Sequence, residues 1–308
     1  MEKIKAAVIG LGRVGWLFEL DEKREKPCSH VGAYLASSNV ELVAVADICK
    51  SKLNDFNKIH PQINGYTDYE DLLNREEPQI VSVTTPVETH TKLVRNICRF
   101  DSVLAIFVEK PIATNVADAN RMVETCKQFQ VKLAVNHTRR WSFAFRHLKE
   151  KLQEGVVGDL LAFRGVFCGE DPLTLGIHMA DLACWVMEKN TTVQLTHVDV
   201  PYILFDIDLI GSRGRVQIVH NGEKFLYYSP SKEKRYEEKY GRELELYADL
   251  LGHRWSFSEA MQNAIADLVT CAETDKQPDC TGEMGLDALR LYLEKFGEKK
   301  YPRGGRTE

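Results

Sequence analysis

Two sets of residues in this sequence have types and spacing suited to chemistry. The first is the glycine pattern Gly10-Leu11-Gly12-Arg13-Val14-Gly15. A short apolar run, Ala6 to Ile9, precedes it, and a helix-compatible segment, Val14 to Leu20, follows. Strand, glycine turn and helix in that order is the setting in which such a pattern cradles a dinucleotide. Gly10 permits the tight turn, Gly12 lets the backbone approach a pyrophosphate, and Gly15 lets helix and strand pack closely. The first amide groups and the helix dipole then face the phosphates. The same spacing also serves a plain strand–helix turn. Asp47 ends the next buried-type run, Glu41 to Ala46. An acid there accepts hydrogen bonds from the adenosine ribose hydroxyls, though it lies further from the glycines than the usual ~20 residues. It can equally cap a helix that starts near Lys50. A carboxylate at that place repels a 2′-phosphate, so NAD is expected ahead of NADP, with Lys50 and Lys52 working against the preference.

The second set is Lys110 and His178. Lys110 follows the apolar run 102–108 at its carboxyl end, where ligands bind in open α/β sheets. Pro111 restricts its backbone. A lysine so placed can hydrogen-bond a reacting hydroxyl and stabilise developing alkoxide charge, although lysines are most often simply solvated. His178 can accept a proton near neutral pH. It can also be a packed histidine bonded to Asp181, three residues on along the same helix face.

The elements that must position these groups alternate in type. Short apolar runs near residues 4–9, 41–47, 66, 79–85, 102–108 and 131–136 are separated by helical patterns near 69–74, 88–100 and 116–130. Strands alternating with helices give βαβ units, right-handed crossovers and a doubly wound parallel sheet, a Rossmann domain over 1–136. The charged stretch 19–30 (ELDEKREKPCSH) interrupts the first helix and reads as an insertion, either a plain solvated connection or a loop, mobile when the site is empty, that overhangs the nicotinamide and the substrate mouth. His30 stands where helix resumes. Beyond His137 the rhythm changes to helix at 142–154 and 177–188, and to short strands at 160–167, 192–198, 203–210, 215–220 and 224–228, with turns at Gly211 and Asn221-Gly222. That predicts an α+β domain over 137–308 with an open, mostly antiparallel sheet. Helices at 256–274 and 283–296 complete it, with a loose tail from Tyr301.

Composition sets bounds. At 308 residues the chain is long for one core. With a net charge of −5 and no basic run, nucleic acid or an anionic membrane is not the expected partner. No apolar run approaches a membrane span, so a cytoplasmic protein is expected. Eight cysteines include no CxxC pair, which reads as reduced thiols, with neither a disulfide framework nor a zinc or other metal site.

Several motifs, taken in order, carry a family resemblance. They are Gly10–Gly15, Thr85-Pro86 with His90, Glu109-Lys110-Pro111, Asn136-His-Thr-Arg139-Arg140-Trp141, Gly155-Val-Val-Gly158, and Gly176-Ile-His178-Met-Ala-Asp181-Leu182. The sequence resembles the glucose–fructose oxidoreductase / inositol dehydrogenase (Gfo/Idh/MocA) family, well over residues 1–185. The resemblance implies hydride transfer between a carbohydrate, polyol or nucleotide-sugar hydroxyl carbon and nicotinamide, with Lys110 and His178 as acid/base groups. It implies cofactor contacts from Gly10, Leu11, Gly12, Arg13, Val14, Asp47, Thr84, Thr85, Pro86, His90, Glu109 and Lys110. Substrate contacts would come from Asn136, Arg140, Trp141, Thr174 and His178. A homodimer or homotetramer built on the second sheet is expected. Two departures stand out. Thr174 occupies the place, four residues before the histidine, where many such dehydrogenases carry an acid, with Asp171 nearby but offset. The stretch from Trp185 to Gly211 is short, so the second domain is shortened. Both departures motivate an alternative, a non-catalytic NAD(P)-binding sensor or assembly protein.

Overall fold

The computed structural model describes residues 3–169, 172–231, 243–250 and 255–297. They form two compact units, one of 1–141 with 257–308 and one of 142–256. In the first, six parallel strands lie in the order β3-β2-β1-β4-β5-β6: β1 (Ile4–Ile9), β2 (Val40–Ala46), β3 (Asn64–Tyr66), β4 (Ile80–Val83), β5 (Ala105–Val108) and β6 (Lys132–Val135). Strands β4 and β5 are buried at every position, as expected for a parallel sheet covered on both faces. The chain order reverses between β1 and β4, and the loops at their carboxyl ends, Gly10–Gly15 and Thr84–Pro86, meet there. The connecting helices are α1 (His30–Ala36), α2 (Lys50–Ile59), α3 (Tyr69–Glu76), α4 (Val87–Ile97) and α5 (Val116–Gln128). The expected parallel Rossmann architecture is present.

The first helix is not the one that periodicity indicates. Residues 13–16 make a loose turn and Leu17–Leu20 a 3-10 turn, and regular α-helix begins only at His30. The His30 and Val31 amides then donate to the Val14 and Gly15 carbonyls at 2.9 and 3.0 Å. A helix has been opened, residues 16–29 looped out of it, and its hydrogen-bond ladder rejoined. Hydrogen bonds through Lys26 and Glu19 hold the two ends of the insertion together. Lys26 Nζ donates to the carbonyls of Phe18, Glu19 and Asp21 at 2.9, 2.6 and 2.7 Å. The Glu19 carboxylate accepts from the Cys28 amide and the Ser29 hydroxyl. The run buries little apolar surface, and backbone carbonyls converging on one ammonium give it internal hydrogen bonds.

The last two helices, α8 (Phe257–Glu273) and α9 (Gly282–Phe296), pack on this first unit, whereas the order of the sequence groups them with the second half of the chain. The reason is close contact with β6. The Val135 amide donates to the Cys280 carbonyl at 3.0 Å, and Ala134 bridges Thr281. A Cβ at Gly282 or Gly285 would lie 2.7 Å from Leu133 or 2.6 Å from Val135, so α9 reaches β6 only through glycine.

In the second unit, six strands run in the order β12-β11-β10-β9-β7-β8: β7 (Leu160–Phe167), β8 (Thr192–His197), β9 (Phe205–Gly211), β10 (Arg215–Val219), β11 (Lys224–Pro230) and β12 (Leu244–Asp249). All pairings are antiparallel except β7 with β8. Burial alternates along β9 and β10, so one face is covered. Phe145 and Leu148 of α6 (Phe143–Gln153) and Leu182 and Val186 of α7 (Pro172–Val186) meet Phe163, Ile207 and Ile218 on it. The edge strand β12 gave no signal in the sequence. Asp171 and the tail from Tyr301 lie outside the described residues. No described helix is long and apolar enough to cross a membrane.

Candidate active site

The glycine turn has the geometry its residues predict. Gly10 adopts φ +104°, which a side chain rarely tolerates. A Cβ on Gly15 would lie 2.1 Å from the Gly10 carbonyl oxygen and 2.7 Å from Thr84 Oγ1. A Cβ on Gly12 would meet nothing nearer than the Thr84 carbonyl at 3.9 Å. The fold therefore needs glycine at 10 and 15 for its own packing, and has no such need at 12. The amides of Gly12, Arg13 and Val14 find no acceptor among the described residues. Open space over a glycine flanked by unpaired amides fits a pyrophosphate. Thr84 supports the turn from below, donating from Oγ1 to the Gly10 carbonyl at 2.6 Å.

Asp47 joins this turn to the next helix. Its Oδ2 accepts from the Leu11 amide and its Oδ1 from the Cys49 amide, both at 2.8 Å. The capping position of α2 is Cys49, so Asp47 braces the turn without being the cap residue. The side chain keeps a small exposed surface, and the carboxylate has further lone pairs to offer a ribose. Lys52 Nζ stands 3.8 Å from it. Leu11, in contrast, has its side chain in the core and its amide already bonded to Asp47.

At the neighbouring strand ends, Thr85 is half-buried and Pro86 exposed, as a cofactor-lining loop requires. His90 is different. It is buried, with Nε2 2.9 Å from the Thr85 carbonyl and Nδ1 3.2 Å from the Pro111 carbonyl. Burial lowers its pKa, against the pull of those carbonyls, and holds the ring neutral. It braces the 85–86 loop against the loop after Lys110 and presents no ring atom to a ligand. Lys110 itself is half-buried just past β5, its amide 3.3 Å from Glu109 Oε2.

The three residues expected to face substrate after β6 are enclosed. Asn136 Nδ2 donates to Glu109 Oε1 at 2.6 Å. Arg140 is buried with Nη1 3.2 Å from Met284 Sδ. Trp141 is 0% exposed, packs edge-on against Phe107 and donates from Nε1 to Asp267 Oδ2 at 2.9 Å. Asp267, on α8, also accepts from Lys276 and the Asp279 amide. Nothing local in the sequence distinguishes it, since Trp141 lies 126 positions away and Asp279 lies 12. In the second unit, Thr174 is exposed and His178 half-buried on α7, four residues apart and so on one helix face, with Asp181 buried.

Residues 4–137, which hold the glycine turn and Lys110, match the oxidoreductase family with an NAD-binding Rossmann fold, GFO_IDH_MocA. Over those residues the chain carries this family's NAD-binding Rossmann domain. Among Gfo/Idh/MocA relatives, the myo-inositol 2-dehydrogenase of Thermotoga maritima is 28% identical over 202 residues, 61% of this chain and 56% of that protein. The chain thus matches little more than half the length of that relative. Two solved structures share the fold. One is the WlbA dehydrogenase of Bordetella pertussis in complex with NADH and UDP-GlcNAcA, with a TM-score of 0.74 at 16% identity over 96% of this chain and 97% of that one. The other is KijD10, a 3-ketoreductase of Actinomadura kijaniata, in complex with NADP and TDP-benzene, with a TM-score of 0.73 at 16% identity over 95% and 97%.

Proposed function

We propose that this chain is an NAD-dependent oxidoreductase that moves hydride between a carbohydrate, polyol or nucleotide-sugar hydroxyl carbon and nicotinamide. The observation that carries the reading is Gly12, an open glycine among unpaired amides, in the same unit as Lys110 at the carboxyl end of β5. The relatives' names support the substrate class, since they include an inositol dehydrogenase and a dehydrogenase solved with a nucleotide sugar. The amides of residues 12–14 would hold the pyrophosphate, Asp47 the ribose, and Thr85-Pro86 the path toward the nicotinamide. Bound nicotinamide supplies the hydride acceptor or donor. Lys110 hydrogen-bonds the reacting oxygen and stabilises alkoxide character as the C–H bond breaks. His178 takes the hydroxyl proton in oxidation and returns it in reduction. Asn136, bonded to Glu109, and Trp141, packed on Phe107, support the strand end that carries Lys110. With Thr174 exposed on the face of His178, an acid is not supplied from that position.

The test is NADH formation over a panel of sugars, inositols and nucleotide sugars, with wild type and Lys110→Ala. The variant should lose at least about 100-fold in kcat. Full activity in Lys110→Ala would remove its role. Tight NADH binding with no turnover on any compound would favour a sensor or assembly protein.

A further inference from the structure

Helices α4 and α5 pack against each other, and each carries a cysteine at its far end. Cys98 is the C-cap residue of α4, and Cys126 stands in the last turn of α5. Their Sγ atoms lie 3.2 Å apart, across 28 positions of chain. Both are free thiols, 3% and 2% exposed. Neither has a part in the chemistry above. A buried cysteine commonly packs as a small apolar residue, and that would account for either one alone. It does not require the two sulfurs to meet.

A disulfide holds its sulfurs about 2.05 Å apart, so the gap here must close by only about 1 Å, a small torsion of one or both side chains. The contact also gives the two thiols different roles. The hydrogen bond to Cys98, and then burial, push the Cys126 thiol far above its ordinary range. Cys126 therefore keeps its proton and donates S–H to Cys98 Sγ, which leaves Cys98 as the attacking sulfur. Exposed residues flank both positions, Arg99 and Asp101 after Cys98 and residues 127–130 after Cys126. The end of a helix opens more readily than its middle, so a small oxidant can reach the pair by local opening, without global unfolding.

We propose that Cys98 and Cys126 are a modification site, a redox pair that closes to a disulfide in the folded chain when it meets hydrogen peroxide. Cys98 Sγ attacks the peroxide: an S–O bond forms, the O–O bond breaks, and the first water leaves. Cys126 Sγ then attacks the sulfenic sulfur: the S–S bond forms, the S–O bond breaks, and the hydroxide takes the Cys126 proton and leaves as the second water. Two thiols and one peroxide give one disulfide and two waters; the sulfurs lose two electrons and the peroxide gains them. A dithiol reductant reverses the bond by exchange. The cross-link fastens the far ends of two helices that follow the Thr85-Pro86 loop and the Lys110 loop, and it closes a long span of chain, which constrains the unfolded state.

The whole chain, without denaturant, is treated with hydrogen peroxide. The peroxide is then removed, remaining thiols are blocked with iodoacetamide in denaturant, and tryptic peptides are weighed without reduction. Trypsin leaves Cys98 in Asn96–Arg99 and Cys126 in Met122–Lys127. These two peptides should appear joined, and should separate after dithiothreitol. The melting temperature should rise by several degrees on oxidation, and should not rise in Cys98→Ala. In Cys126→Ala, which lacks the second thiol, dimedone should trap Cys98 as its sulfenic acid. No joined peptide, a joined peptide only in denatured protein, or sulfinic acid at either cysteine without the cross-link overturns the proposal. A melting temperature that falls on cross-linking overturns the fastening, and no dimedone adduct in a folded Cys126→Ala overturns the order of attack. If that variant does not fold, the wild-type peptides decide alone. None of these readouts depends on turnover of a substrate, so they stand or fall apart from the hydride-transfer reading.

Discussion

Two glycines of one turn, Gly12 and Gly15, should fail in opposite ways when given a methyl group. In Gly15→Ala the new Cβ falls 2.1 Å from the Gly10 carbonyl oxygen and 2.7 Å from Thr84 Oγ1. The first of these is backbone and cannot rotate away. The turn must open, at an overpacking penalty of about 1–3 kcal/mol or more, and the melting temperature should fall by several degrees. In Gly12→Ala the nearest atom is 3.9 Å away, an ordinary contact. The residue has no left-handed φ, so the substitution should be neutral, or stabilising by about 0.4–1 kcal/mol through the unfolded chain. Yet that methyl occupies the space proposed for the pyrophosphate, where a displaced phosphate would lose two or three amide hydrogen bonds. At about 1.5–3 kcal/mol for each hydrogen bond to a charged group, NADH affinity should drop by at least about a hundredfold. Thermal denaturation and NADH fluorescence titration on the two purified variants read both effects. Wild-type NADH affinity in Gly12→Ala would refute the assignment of the turn as a phosphate cradle. A Gly15→Ala variant as stable as wild type would refute the packing argument.

The remaining expectations concern charge. Asp47→Asn keeps an acceptor for one of the two amides and removes the carboxylate that faces a 2′-phosphate. With Lys52 3.8 Å from that carboxylate, the NAD-to-NADP affinity ratio should shift toward NADP by roughly tenfold, and an unchanged ratio in paired titrations would show that selectivity lies elsewhere. Because burial depresses the pKa of His90, the unfolded chain binds a proton that the folded one resists. The stability from neutral His90 is therefore complete above its unfolded pKa of about 6.5 and is lost as pH falls through the lower folded value. Melting temperatures should decline on acidification from neutrality, and His90→Gln should flatten that decline; an equal slope in the variant would refute the attribution.

The sequence determined by itself whatever depends on neighbours along the chain. Gly10 and Gly15 announce a tight turn because only glycine meets its steric demands, and short apolar runs spaced by amphipathic segments specify a parallel sheet without further information. The strand ends therefore placed Thr84, Glu109 and Lys110 at the carboxyl edge, where the structure has them. Tertiary structure alone decided which polar groups face outward. Asn136, Arg140 and Trp141 share a loop that looks like a site wall, and α8 and α9 close over it, with Asp267 and Met284 supplying partners from the far end of the chain. In the sequence His30 stands only where helix resumes after the charged and polar stretch 19–29, able to cap it or to point into the cleft. It is buried because the helix ladder rejoins across the insertion and brings its ring to a carboxylate 79 positions away. A buried polar residue is stable only with its partner. That partner is set by how sheet and helices pack in three dimensions, which no local periodicity encodes.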